Sequence, residues 1–185
     1  MKKSDLRIKD NPRIWAKVPR KADDAFDYFY RTLIEENEKI MALTDKIGCG
    51  PYDEPVRKKL RPAQKVLVLM WRLDSEILNG GVTQFCWNAP FEISDVAKAI
   101  KTLRLPELEK LYRKVDARLE EKLKEWAALR NKWDESPSSG WGFFQQSYKL
   151  LALDWFDKAY MAKHRSGMLK ALLSYLVEHK RDLIK

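Results

Sequence analysis

An apolar helix that runs into two consecutive glycines and then resumes constrains this chain more than any other segment does. Val66, Leu69, Met70, Leu73 and Ile77 recur at helical spacing, and Leu67, Trp71 and Leu78 form a second stripe on the same segment. A helix apolar on two sides is buried on two sides. Residues 62–79 are therefore expected to form a central helix. Pro62 opens it at a position where its missing N–H costs nothing. Asn79-Gly80-Gly81 interrupts it. Glycine serves where the backbone must take a positive φ or approach another segment closely. Val82 to Asn88 is expected to restart as a short helix, stopped by Ala89-Pro90.

The rest of the chain reads as helical too. Asp23 or Asp24 can cap a helix carrying Phe26, Phe29, Tyr30, Leu33, Ile34 and Ile40, with Glu35, Glu36 and Glu38 outward. Gly48-Cys49-Gly50-Pro51 ends that unit. Ser94 can cap a helix over Asp95–Leu103. Pro106 opens a longer one striped by Leu108, Leu111, Tyr112, Val115, Leu119, Leu123 and Trp126. Residues 134–142 are the clearest loop. Phe144, Tyr148, Leu151, Trp155 and Ala159 mark the next helix, and Leu169, Leu172, Leu173, Leu176 and Val177 the last. Period-2 alternation is essentially absent. The expected fold is all-α: a single-domain helical bundle of about six to seven helices with a Gly-Gly-broken central helix. Residues 22–185 would form that domain, and residues 1–21 a basic N-terminal arm.

The arm is defined by charge. The whole chain carries +9. Residues 1–21 hold Lys2, Lys3, Arg7, Lys9, Arg13, Lys17, Arg20 and Lys21 against Asp5 and Asp10, a net +6, which leaves +3 for residues 22–185. Those eight cations are candidate anion contacts, for phosphate or an acidic partner. A solubilising terminus explains the same charge.

With 45% hydrophobic and 11% aromatic residues, the chain has the material for a core. No apolar run approaches the roughly 20 residues that span a bilayer. No apolar segment follows the basic start, so a cytoplasmic location and no membrane contact are expected. Cys49 and Cys86 do not make a disulfide framework and, with His164 and His179, lack zinc-site spacing. No metal and no cofactor are expected.

Leu73, Asp74, Glu76, Asn79, Gly80, Gly81, Gln84, Phe85 and Asn88 fit the pattern Leu-Asp-x-Glu-x-x-Asn-Gly-Gly-x-x-Gln-Phe-x-x-Asn. This resembles the hallmark of the bacterial DNA-mimic-protein family, largely described as a domain of unknown function. Leu153-Asp154-Trp155-Phe156, with a terminal helix ending near His179, is similar to the family as well. The resemblance covers roughly residues 25–180. It implies an all-α domain, often dimeric, that acts without catalysis by presenting a DNA-like acidic face to a DNA-binding protein. This chain departs from that at +9 overall, and at Ala89-Pro90-Phe91, where the family has a small-residue turn.

Asp74, Glu76, Asn79, Gly80, Gly81, Gln84 and Asn88 form the candidate binding motif. Amides among aromatics can bind a peptide backbone, a small ligand or a base edge. The same groups can instead satisfy backbone freed by the helix break. Catalysis has little support. Asp154 and Asp157 sit at i, i+3 as ordinary surface acids do, and there is no P-loop, dinucleotide fingerprint, nucleophile elbow or helical Glu-x-x-His pair. No catalytic residue is assigned. Lys110, Lys114, Arg118 and Lys122 make a basic row that Glu107, Glu109, Glu120, Glu121 and Glu125 can neutralise. Arg57, Lys58, Lys59 and Arg61, with Trp15 and the arm, could form a phosphate-binding surface.

The expected function is that of a non-catalytic helical interaction module, protein-binding or regulatory. A second copy of the chain is an open partner. The alternative is non-specific nucleic-acid binding by the arm. DNA mimicry is not expected of a basic chain.

Overall fold

The computed structural model describes residues 17, 19–51, 53–135, 140–180 and 183. Among them every regular element is a helix. None is long and apolar enough to cross a membrane. The chain divides into two compact units, residues 1–72 with 166–185, and residues 73–165.

In the first unit, α1 (Ala22–Tyr30) runs into a single π-helical turn, Arg31–Glu35. Lys21, not Asp23 or Asp24, is its N-cap. The two acids occupy the first turn, where they face the positive end of the helix. The helix expected to run on to Ile40 breaks at Asn37. Its side chain accepts from the backbone N–H groups of Lys39 and Ile40, starting α2 (Glu38–Ile47). Gly48 closes α2 at φ +76. A short α3 (Glu54–Arg57) precedes the long α4 (Pro62–Asn88), whose Trp71 stacks on Tyr30 with ring centroids 3.8 Å apart. The last helix, α10 (Arg165–Glu178), buries Met168, Leu169, Leu172 and Leu176.

In the second unit, α4 continues past its break to a 3-10 turn, Pro90–Glu92, which leads into α5 (Ile93–Thr102). That turn feeds the helix directly, and the residue before it is Glu92 rather than a Ser94 cap. The helix from Pro106 is two helices, α6 (Pro106–Glu121) and α7 (Leu123–Glu135), separated at Lys122. α8 (Gly140–Leu151) also stops earlier than its stripe suggested. Ala152 takes the left-handed conformation at φ 49, and α9 (Asp154–Ala159) follows. Arg118 holds the end of α8 by donating to the carbonyls of Leu150 and Leu151 (3.3 and 3.1 Å). A π-turn, Tyr160–His164, joins α9 to α10.

The core of this unit is aromatic. Trp87 meets Trp126, Trp133 and Phe144 edge-on, with centroids 5.7–6.1 Å apart. The Arg130 guanidinium lies 5.2 Å from the Trp87 ring and 5.7 Å from the Trp126 ring, and donates to the Trp87 carbonyl.

Candidate functional site at the helix break

The backbone of α4 leaves helical geometry at two residues only. Gly80 has φ −159 and ψ 17; Gly81 has φ +84 and ψ 172. The Gly81 conformation is one that L side chains rarely adopt. Space excludes side chains as well. A Cβ on Gly80 would lie 2.9 Å from the Tyr148 hydroxyl, and one on Gly81 would lie 3.1 Å from the Asp157 carboxyl carbon.

The break frees backbone groups, and distant residues take them. Tyr148 on α8 donates its hydroxyl to the Gly80 carbonyl at 2.6 Å. Asp157 on α9 accepts from the Val82 N–H at 2.8 Å, capping the restarted helix through space. Burial pushes the Asp157 carboxyl above its ordinary value of 3.8. The Val82 N–H pulls it back and the neighbouring Asp154 charge raises it further. The Tyr148 phenol is raised too, first by burial, then by the charges of Asp157 and Glu76.

The motif's own polar side chains meet across the break. Glu76 Oε2 accepts from Gln84 Nε2 at 2.7 Å and from Asn88 Nδ2 at 2.9 Å. Asp74, 2% exposed, takes a bidentate Arg165 guanidinium (2.8 and 2.9 Å) and the Tyr160 hydroxyl (2.7 Å). Asn79 is exposed and stands apart from this network. The structure thus brings Glu76, Gln84 and Asn88 together around Gly80 and Gly81, and gives Asp74 a second centre of its own.

Four residues complete these centres beyond the sequence motif. Tyr148 read as a core stripe residue and Asp157 as a surface acid. Tyr160 and Arg165 carried no signal. They are five apart, which in an α-helix places them on different faces. The π-turn between them widens the helix and lets both reach Asp74.

Among the arm's cations, Lys2, Lys3, Arg7, Lys9 and Arg13 lie outside the described residues, as does Trp15. Lys17, Arg20 and Lys21 are exposed. The basic stretch at 57–61 is not one surface, because Arg57 is buried. Of the row on α6, Arg118 serves α8 and Glu121, Lys122 lies 3.5 Å from Glu125, and Lys110 and Lys114 face solvent. Cys86 is buried, and burial pushes its thiol up to about 12; Cys49 is half-buried.

A family model, that of the DMP19-like protein, matches residues 58–179. The chain belongs to this family. The matched span holds the helix break, Tyr148, Asp157 and the Asp74 centre; α1 and α2 precede it. DMP19-like membership agrees with the resemblance drawn from Leu73–Asn88. No curated protein and no solved structure matches the chain.

Proposed function

We propose that this DMP19-like chain is a non-catalytic helical module that binds another protein through its folded surface. The observation that carries this reading is the placement of two large aromatic side chains in solvent: Phe91 is 87% and Trp141 65% exposed. Aromatic side chains are enriched in the buried centres of protein interfaces. The motif side chains Asp74, Glu76, Gln84 and Asn88 support the same reading, since each is engaged in intramolecular hydrogen bonds that hold the fold. Mimicry of DNA is not part of the proposal, because a +9 chain repels the basic surface that a mimic must attract.

The test is covalent capture of partners in cells that express the protein, comparing the parent with Phe91→Ala/Trp141→Ala. Two exposed truncations together should leave stability within about 1 kcal/mol. A partner captured by the parent and lost from the variant is expected. Capture of nothing by either protein, or of the same partner by both, sinks the reading.

A second reading, non-specific nucleic-acid binding by residues 1–21, rests on their net +6. It requires DNA affinity that falls with salt and disappears when those residues are removed.

A further inference from the structure

We propose that a groove between α1 and α10 receives an acidic amphipathic helix of a partner protein. This rests on the protein-binding reading above and names a partner chemistry for a different surface. The groove is open to solvent and has a volume of about 820 Å³ within the first unit.

Both walls follow the helical repeat. Ala22, Ala25 and Phe29 lie at i, i+3 and i+7 on α1, Ala22 half-buried and Ala25 and Phe29 buried, so the open apolar surface is chiefly that of α10. Lys170, Leu173 and Val177 lie at the same spacing on α10. The apolar face of α10 is wider than its buried part. Leu169, Leu172 and Leu176 are buried, yet Leu173 is only half-buried and Val177 is 49% exposed. An apolar helix edge left open beside another helix is the geometry of helix-in-groove recognition.

The rim gives the sign of the occupant. Among the described lining residues, Arg20, Lys170 and Lys180 border the groove and all three are exposed, against one acid, Glu178. Cations around an apolar floor select a helix with carboxylates flanking its apolar face, and repel a basic one. Arg20 to Phe29 precede the span matched by the family model, so this groove is built in part by residues outside that span.

The probe is a fluorescein-labelled peptide of about 18 residues, long enough to hold a helix. It carries Leu at i, i+3, i+4 and i+7 and Glu at the flanking positions. A control peptide carries Lys in place of Glu. Anisotropy titrations use the full chain, Lys170→Glu/Lys180→Glu and Val177→Asp. All three positions are exposed, and unchanged circular dichroism and melting temperature confirm that the variants fold. The acidic peptide should bind the parent, and bind each variant about tenfold or more weakly. The charge-reversed protein should turn to the Lys peptide, a gain that misfolding does not produce.

Equal binding of both peptides, or binding that neither variant alters, overturns the proposal. So does acidic-peptide binding that emerges only after residues 1–16 are removed, since the chain's own segment would then be the occupant. Failure of the peptide with retained capture through Phe91 and Trp141 overturns the groove alone; the converse overturns the exposed-aromatic anchor alone.

Discussion

At Gly81 a positive φ and the close approach of Asp157 exclude a side chain for separate reasons. Gly81→Ala should destabilise by about 1–3 kcal/mol in urea unfolding, and an unchanged midpoint would refute the reading of the break as a required geometry. Asp157 gives a test with a sign. Its folded value lies above 3.8, so the folded state holds the proton more tightly than the unfolded one. Its contribution to stability is greatest below 3.8 and declines as pH rises through the interval up to the raised value. Asn at 157 keeps an oxygen for the Val82 N–H and removes the charge. Asp157→Asn should therefore gain on the parent as pH rises through that interval; a loss would reverse the assigned cause. Thiol chemistry separates the cysteines. Cys49, half-buried, should react with a disulfide reagent in the folded protein, and Cys86, pushed up to about 12 by burial, should wait for unfolding.

Among the elements, α4 was the most legible in the sequence. Its apolar repeat, Pro62, the two glycines and Ala89-Pro90 all belong to its own residues, and the helix runs Pro62–Asn88 with its break at Gly80 and Gly81. Breaks imposed from elsewhere were not legible. The apolar stripe runs unbroken through Lys122 and Ala152, and the end of α8 is held by Arg118 from another helix. The π-turn at Tyr160–His164 is equally silent, because its reason is a carboxylate far away in sequence at Asp74. So the sequence motif placed the amides around the break, while Tyr148, Asp157, Tyr160 and Arg165 required the fold. The Asp74 centre predicts strong coupling. Arg165→Leu should cost about 3–5 kcal/mol by stranding a buried carboxylate, and Asp74→Leu/Arg165→Leu less than the sum of its single changes. Additivity in a double-mutant cycle would show that the pair does not act as a unit.

On the scale of the whole molecule, charge and aromatic residues are unevenly distributed. The +6 of residues 1–21 predicts that removing them abolishes any salt-sensitive DNA affinity, as anisotropy at several salt concentrations would show; affinity that survives truncation would move the anion surface onto the helices. The described tryptophans divide just as unequally. Trp71 stands in the first unit, stacked on Tyr30, while Trp87, Trp126, Trp133, Trp141 and Trp155 stand in the second. Trp87 has three aromatic rings and a guanidinium within 6.1 Å. Coupled indoles in such an array share their excited states, and a neighbouring cation shifts their emission. The protein therefore contains its own optical reporter. Its intrinsic fluorescence and near-ultraviolet dichroism describe chiefly residues 73–165, and a Trp71→Phe variant would make the emission a still more selective gauge of that unit during unfolding.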